Sequence, residues 1–311
     1  MKRLGECLAL LLLAVALLVP APARALEKAT IGYNSVADFL LGFLAKDQGF
    51  FEKHGLDADM KLTQVSLVAI PTVLTGGSID IGGVTPPAAL LADDNGLDIK
   101  IVGGEDETAA GYHLAGIVVR ADSAIKTAAD LKGKTVGVPG LNDLLHILVV
   151  KWLQDRGVAK SDVHYVEIPM LQLGDVLKSG RVDAVVPVEP FMSRMAKDGD
   201  RILSYYVDDL PAGIPPVVWA STGKYAAEHP AVIKAFRAAL VDAADYYKAH
   251  PDIGPETLSH YIKIPPEVLK QIPIPPVTAT VDASQIGYWV EIMRQQQMLS
   301  KPLDPASVLL P

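Results

Sequence analysis

The chain has 311 residues, half of them hydrophobic, with a formal net charge of −8 and a single cysteine. An acidic balance without a basic cluster argues against nucleic acid or an anionic membrane surface as a partner. One cysteine leaves no disulfide framework and no thiolate metal site.

Residues 1–25 read as an export signal. Lys2 and Arg3 form a positive start, residues 8–19 an apolar core, and Ala23-Arg24-Ala25 a small-x-small cleavage site. Cleavage after Ala25 removes Cys7 and takes the net charge from −8 to −10 as Lys2, Arg3, Arg24 and Glu6 depart. No second long apolar run follows, so the mature chain is expected to be soluble and exported.

From residue 29 strand and helix alternate. Residues 29–33 predict a buried strand ended by Asn34 and Ser35, and Asp38 or Ser35 then caps a helix with Phe39, Leu40, Phe43 and Leu44 on one face. A ligand at this turn would sit at the carboxyl end of a strand, where open α/β sheets place their sites. Asn34 and Ser35 are therefore candidates, with ordinary turn chemistry as the alternative. Residues 63–96 hold the most informative stretch. Ser66 precedes an apolar segment at 68–74, a Gly76-Gly77 turn follows, and the loop Gly83-Val84-Thr85 opens a helix at Pro86-Pro87. Two helices starting beside one cleft offer unbonded N–H groups and partial positive charge to a small polar or anionic molecule. Ser66, Leu67, Val84 and Thr85 are the candidates here; the plainer reading is that Ser66 and Thr85 only cap their helices.

The run Gly77-Ser78-Ile79-Asp80-Ile81-Gly82 before a proline-rich helix start resembles the solute-binding proteins of ABC importers in the nitrate, sulfonate and taurine group. Gly49-Phe50-Phe51-Glu52-Lys53-His54-Gly55-Leu56, Asp130-Leu131-Lys132-Gly133-Lys134-Thr135-Val136-Gly137-Val138, Gly180-Arg181-Val182-Asp183-Ala184 and Glu189-Pro190 are similar to further motifs of that group, in the same order. The resemblance implies an α/β, two-lobed periplasmic binding protein fold (type II-like), each lobe a mixed sheet flanked by helices, with two interlobe crossings. Lobe one would be residues 26–117 plus 214–311 and lobe two 118–213. It also implies a monomer that binds a small molecule in the interlobe cleft and delivers it to a membrane permease with a separate ATPase subunit.

Residues 99–102 predict the next strand, ending at Gly103-Gly104-Glu105-Asp106; without G-x-G-x-x-G this glycine pair is no dinucleotide fingerprint. In the resembled family, residues 113–119 make the first crossing, and Glu105 and Glu189 fall at strand ends facing the cleft, one per lobe. A carboxylate there accepts from a ligand amine, amide or hydroxyl and repels an anion; the alternative is a solvated charge. Residues 135–138 read as a strand, after which Gly140, Leu141 and Asn142 lead into a helix carrying Leu144, Leu145, Leu148, Val149 and Trp152. Asn142 is the expected cap and the helix start a third set of donors. Residues 165–169 form a strand and turn ending at candidate Pro169, 173–177 a helix and 182–188 a strand. The return at 213–220 carries candidate Pro216, with Trp219 read as core. A long helix at 228–249 follows, then a proline-rich stretch at 251–278 whose residues 272–276 cannot be helical. A last helix capped by Asp282 turns Ile286, Trp289, Val290 and Met293 inward and ends at solvated glutamines 295–297.

The seven histidines show neither H-x-H nor H-E-x-x-H spacing, and no G-x-S-x-G or Walker motif occurs. No catalytic residue, metal or cofactor is expected, and the reading is a binding protein. The ligand is a small organic molecule: a sulfonate, carboxylate, aromatic or nitrogen heterocycle. An exported enzyme or a periplasmic sensory subunit on the same fold is the alternative.

Overall fold

Two five-stranded sheets carry the fold of the computed structural model, which describes residues 25–311 apart from the Pro266 side chain; the signal-peptide reading and Cys7 lie outside them. In chain order the strands are β1 (Glu27–Tyr33), β2 (Leu56–Leu62), β3 (Ile81–Val84), β4 (Ile99–Gly104), β5 (Ile117–Val119), β6 (Thr135–Val138), β7 (His164–Glu167), β8 (Ala184–Val185), β9 (Arg201–Ser204) and β10 (Val218–Thr222). The first sheet has the order β2-β1-β3-β10-β4 and the second β7-β6-β8-β5-β9. In the first, β1 runs parallel to β2 and β3, and β10 antiparallel to β3 and β4. The second repeats this plan, with β6 parallel to β7 and β8, and β5 antiparallel to β8 and β9. Each sheet is thus completed by the first strand after a crossing: β5 on the way out, β10 on the return.

Apolar periodicity decides which helix faces cover the first sheet. Helix Leu40–Asp47 buries Leu40, Leu41, Phe43 and Leu44, and helix Pro230–Ala249 buries Val232, Ile233, Phe236, Leu240 and Ala243. Fully burying each large apolar side chain contributes about 1.5–3 kcal/mol. Two glycines let aromatic rings sit against backbone here. A Cβ on Gly83 would fall on the Phe39 ring and one on Gly42 on the Trp219 ring. Trp219 is fully buried, as expected.

The crossings are tied together at Thr108. Its N–H donates to Ile214 O (2.9 Å), its carbonyl accepts from Gly213 N (2.7 Å), and its hydroxyl donates to Pro211 O (2.6 Å) while accepting from Ile214 N (2.9 Å). One apolar cluster spans the two sheets, joining Val84, Leu90 and Ile101 to Val136, Leu144 and Leu148.

Several elements differ from expectation. The strand read over 182–188 shrinks to Ala184–Val185, because Pro187 and Pro190 have no N–H to continue a ladder. The helix read from about residue 228 to 249 is observed as Pro230–Ala249, since Pro230 forces His229 out of helical geometry, and a separate short helix, Gly223–Glu228, precedes it. The proline-rich stretch holds helices Gly254–Tyr261 and Pro266–Leu269, each with proline in its first turn, where a missing N–H costs little. Residues 272–276 are non-helical, and Asp282 caps helix Ala283–Gln295 in a capping box with Gln285. The glutamine end is not wholly solvated: Gln296 Nε2 donates to Ile147 O (2.8 Å) on a helix of the second sheet.

The Gly83→Ala substitution is expected to lower unfolding free energy by about 1–3 kcal/mol through forced movement of Phe39. Gly76→Ala, where a Cβ meets only ordinary contacts and φ is −75°, should stay within about 0.5 kcal/mol. Urea midpoints of the two variants measure the difference.

Candidate functional site

Among the described residues, five carboxylates are buried (Asp38, Glu105, Asp106, Asp143 and Glu189) while no lysine or arginine is. Their donors reveal which are structural and which face the cleft. Glu105 is fully buried and accepts from Leu41 N (2.5 Å), Gly42 N (3.0 Å) and Trp219 Nε1 (2.6 Å). It therefore joins the end of β4, the start of helix Leu40–Asp47 and the return strand β10, within the first sheet's own layers. Burial pushes its carboxyl up to about 8 against the pull of those three N–H donors. Glu105, a candidate for ligand contact, is held by three N–H donors inside the first sheet's layers.

Its neighbour Asp106 points elsewhere. Asp106 Oδ1 accepts from Val217 N (3.0 Å), and the buried Oδ2 meets no N–H or hydroxyl donor. Asp38 lies beside it and receives Tyr112 Oη (3.4 Å). Burial, then the adjacent charges of Asp38 and Glu105, raises Asp106 well above the ordinary range; burial lifts Asp38 to about 6, opposed by its hydrogen bond with Asp106. Burial and the neighbouring charges thus favour the protonated form at both carboxyls. Glu189, which follows β8 of the second sheet, is 2% exposed and near enough for its charge to raise both Asp38 and Tyr112. Glu189 Oε1 accepts from Ser193 Oγ (2.8 Å), and burial raises its carboxyl, offset by Ser193 and the charge of His113. His113 itself pairs with Asp208 (2.8 Å) and stacks on Tyr205. Asp38 and Glu189, from the two sides of the crossings, thus lie within electrostatic reach of each other.

Several donors at the three expected helix starts are engaged within the chain. Pro86 and Pro87 carry no N–H, Ala88 N donates to Thr85 Oγ1 (3.3 Å), and Ala89 N donates to Thr85 O (3.2 Å). The cap of helix Leu144–Gln154 is Asp143, not Asn142. Asn142 is exposed at φ 62°, in the left-handed region that asparagine tolerates, and donates its N–H to His146 Nδ1 (2.9 Å). Leu141 N donates to Glu167 Oε2 (3.1 Å). Asp143 Oδ1 accepts from Leu144 N (2.7 Å) and Thr85 Oγ1 (2.9 Å), and Oδ2 accepts from Ser66 Oγ (3.2 Å). Ser66 and Thr85 thus meet at one point, as the sequence suggested, but around a carboxylate of the chain.

The other candidates divide. Asn34 Nδ2 donates to Val65 O (2.9 Å) and its Oδ1 accepts from Thr63 Oγ1, while Ser35 Oγ donates to Tyr261 O (3.1 Å); both tie the end of β1 to distant segments. Val84 is fully buried core and Pro216 is buried between the segments that hold Asp106 and Trp289. Leu67 is half-buried, packed against the core on both sides. Gly140 is buried against Ser66, where a Cβ would strike the hydroxyl; Leu141 and Pro169 are exposed at the rim of the second sheet. Sequence reasoning missed Asp106, Tyr112 and Asp143, and treated Asp38 only as a cap. Asp38 is buried without capping its helix. No cluster of three or more metal-ligating side chains occurs among the described residues.

A family model described as NMT1/THI5 like matches residues 37–253. A binding protein of Brucella abortus (strain 2308) is 26% identical over 75% of this chain and 71% of its own length. The taurine-binding periplasmic protein of Escherichia coli (strain K12) is 25% identical over 70% of this chain and 67% of its own. Among solved structures, the alkanesulfonate-binding protein SsuA from Xanthomonas axonopodis pv. citri, bound to MOPS, superposes with a TM-score of 0.76 at 22% identity, covering 93% of this chain and 99% of that one. The fold is that of the periplasmic binding proteins, and these relatives are binding proteins, not enzymes.

The raised carboxyls set a pH dependence. Glu105, ordinarily near 4.5, and Asp38, ordinarily near 3.8, hold protons in the folded chain that the unfolded chain releases. That stabilisation is complete below the ordinary values and is lost as pH rises through about 6 and then about 8. The Tm of ligand-free protein is expected to fall between pH 5 and pH 8, and Glu105→Gln should flatten the upper part of that fall. A wild-type Tm constant over this range contradicts the assignment.

Proposed function

We propose a function from one premise: the chain belongs to the NMT1/THI5-like family. It is the periplasmic solute-binding component of an ABC importer. Residues 26–117 with 214–311 form one lobe and 118–213 the other, a division supported by the two sheets and their paired crossings. The chain is exported by its first 25 residues and works as a monomer. Solute is captured between the lobes, favours the closed form by touching both, and passes to a membrane permease driven by a separate ATPase.

The observation that carries the ligand class is the carboxylate cluster. Asp38 and Asp106 approach from one sheet and Glu189 from the other, beside Tyr112 and without a buried basic partner among the described residues. Asp106 Oδ2 is buried and meets no N–H or hydroxyl donor of the chain. A solute that brings N–H groups or positive charge supplies what these groups lack. An amine or an amino-substituted nitrogen heterocycle fits; a sulfonate or carboxylate placed there brings the repelling sign. The relatives therefore supply the transport setting, and the cleft of this chain supplies the solute chemistry.

Thermal unfolding of residues 26–311 against amines, amino-heterocycles, sulfonates and carboxylates tests the reading. A nitrogenous solute at a hundredfold excess over its Kd should add about 2.7 kcal/mol. Glu189→Gln should weaken that solute about 10–100-fold, the loss of one charge-assisted hydrogen bond, with the unliganded Tm nearly unchanged. Stabilisation by sulfonates alone overturns the solute class. Recovery of a chemically converted solute overturns the receptor.

A further inference from the structure

Asp143 belongs to the second sheet's side of the cleft, yet its hydrogen bonds reach across to the first. It is 7% exposed, takes the hydroxyls of Ser66 and Thr85, and is also hydrogen-bonded by Val68 N–H. Ser66 and Val68 precede β3 and Thr85 follows it, whereas Asp143 and Leu144 follow β6. Gly140 brings the second side so near Ser66 that no side chain fits between. Two hydroxyls and two N–H groups converging on one carboxylate make the donor set that a bound oxyanion needs.

We propose that Asp143 is a specificity-determining residue of this receptor: its carboxylate fills, from within the chain, the place an oxyanion of a solute would take across the cleft. The inference rests on the reading of the chain as a solute receptor. A second anion at that point would meet Asp143 at hydrogen-bond distance and find its donors engaged, so anionic solutes are rejected by both charge and occupancy. The same contacts give the lobes a polar clasp that asks for no anionic group on the solute. This leaves recognition to the carboxylates near the crossings.

The test removes the carboxylate and offers a replacement. Asp143→Gly and Asp143→Ser are titrated calorimetrically with methanesulfonate, taurine and inorganic sulfate, beside the wild type and Asp143→Glu, with circular dichroism and Tm verifying the fold. At least a tenfold gain in affinity for one or more of these anions is expected in Asp143→Gly or Asp143→Ser, with none in Asp143→Glu. Two folded small-residue variants that gain nothing overturn the proposal, as does a wild type that binds a sulfonate as tightly as they do. Asp143→Ser retains a polar cap for helix Leu144–Gln154 and keeps the test usable if the glycine variant does not fold. The result is separable from the solute class proposed above, because that class is tested on the unmodified chain with nitrogenous compounds. A gain of sulfonate binding beside wild-type indifference to every nitrogenous solute would sustain the role of Asp143 and sink only the amine reading.

Discussion

A carboxylate taken out of water must be given donors, a proton or a counter-charge, because leaving it bare costs several kcal/mol. This chain buries five and pairs none of them with lysine or arginine among the described residues. Each is settled in a different way. Glu105 receives backbone and indole N–H groups and knits one sheet to its covering helix. Asp143 receives hydroxyls and N–H groups from both sides of the cleft. Asp38 and Asp106 lie side by side with carboxyls raised by burial, and Glu189 accepts from Ser193. The last three are the least well served, and they meet where the two sheets are joined.

That placement ties the fold to the chemistry of binding. The crossings run side by side through Thr108, a few residues from Asp106 and Tyr112. In the proposed receptor a solute there would gain contacts from both sides only on closure, which is the differential affinity a conformational change requires. Tyr112 and Asp38 come with the first sheet, Glu189 with the second. In the proposed receptor, repulsion between the Asp38 and Glu189 charges would oppose closure, and a donor-rich solute would relieve it.

Much of the architecture was legible in the sequence. Short apolar runs bounded by glycine and proline gave strands close to their observed limits, as at Thr135–Val138, and the apolar face of helix Pro230–Ala249 followed from its spacing. Ser66 and Thr85 were singled out correctly as a pair, but for a ligand and not for Asp143. Part of that outcome was readable: Pro86 and Pro87 have no N–H, so their helix start had little to give. The rest was not. Whether Glu105 or Asp106 looks into the cleft depends on which way an extended chain turns each neighbour, a matter of register that local pattern does not fix. The choice of Asp143 over Asn142 as cap depends on a left-handed residue one position earlier. Contacts between groups 58 or 77 residues apart, such as Thr85 and Ser66 with Asp143, exist only after both sheets have formed.

The central claim is that carboxylates from both lobes hold a donor-rich solute in the cleft. The most direct measurement is mass spectrometry of the small molecule carried by the protein when it is exported, purified under native conditions and then denatured. The account predicts an intact nitrogenous compound, an amine or amino-heterocycle, released in stoichiometric amount. An alkanesulfonate or other anionic solute released in that amount would contradict it.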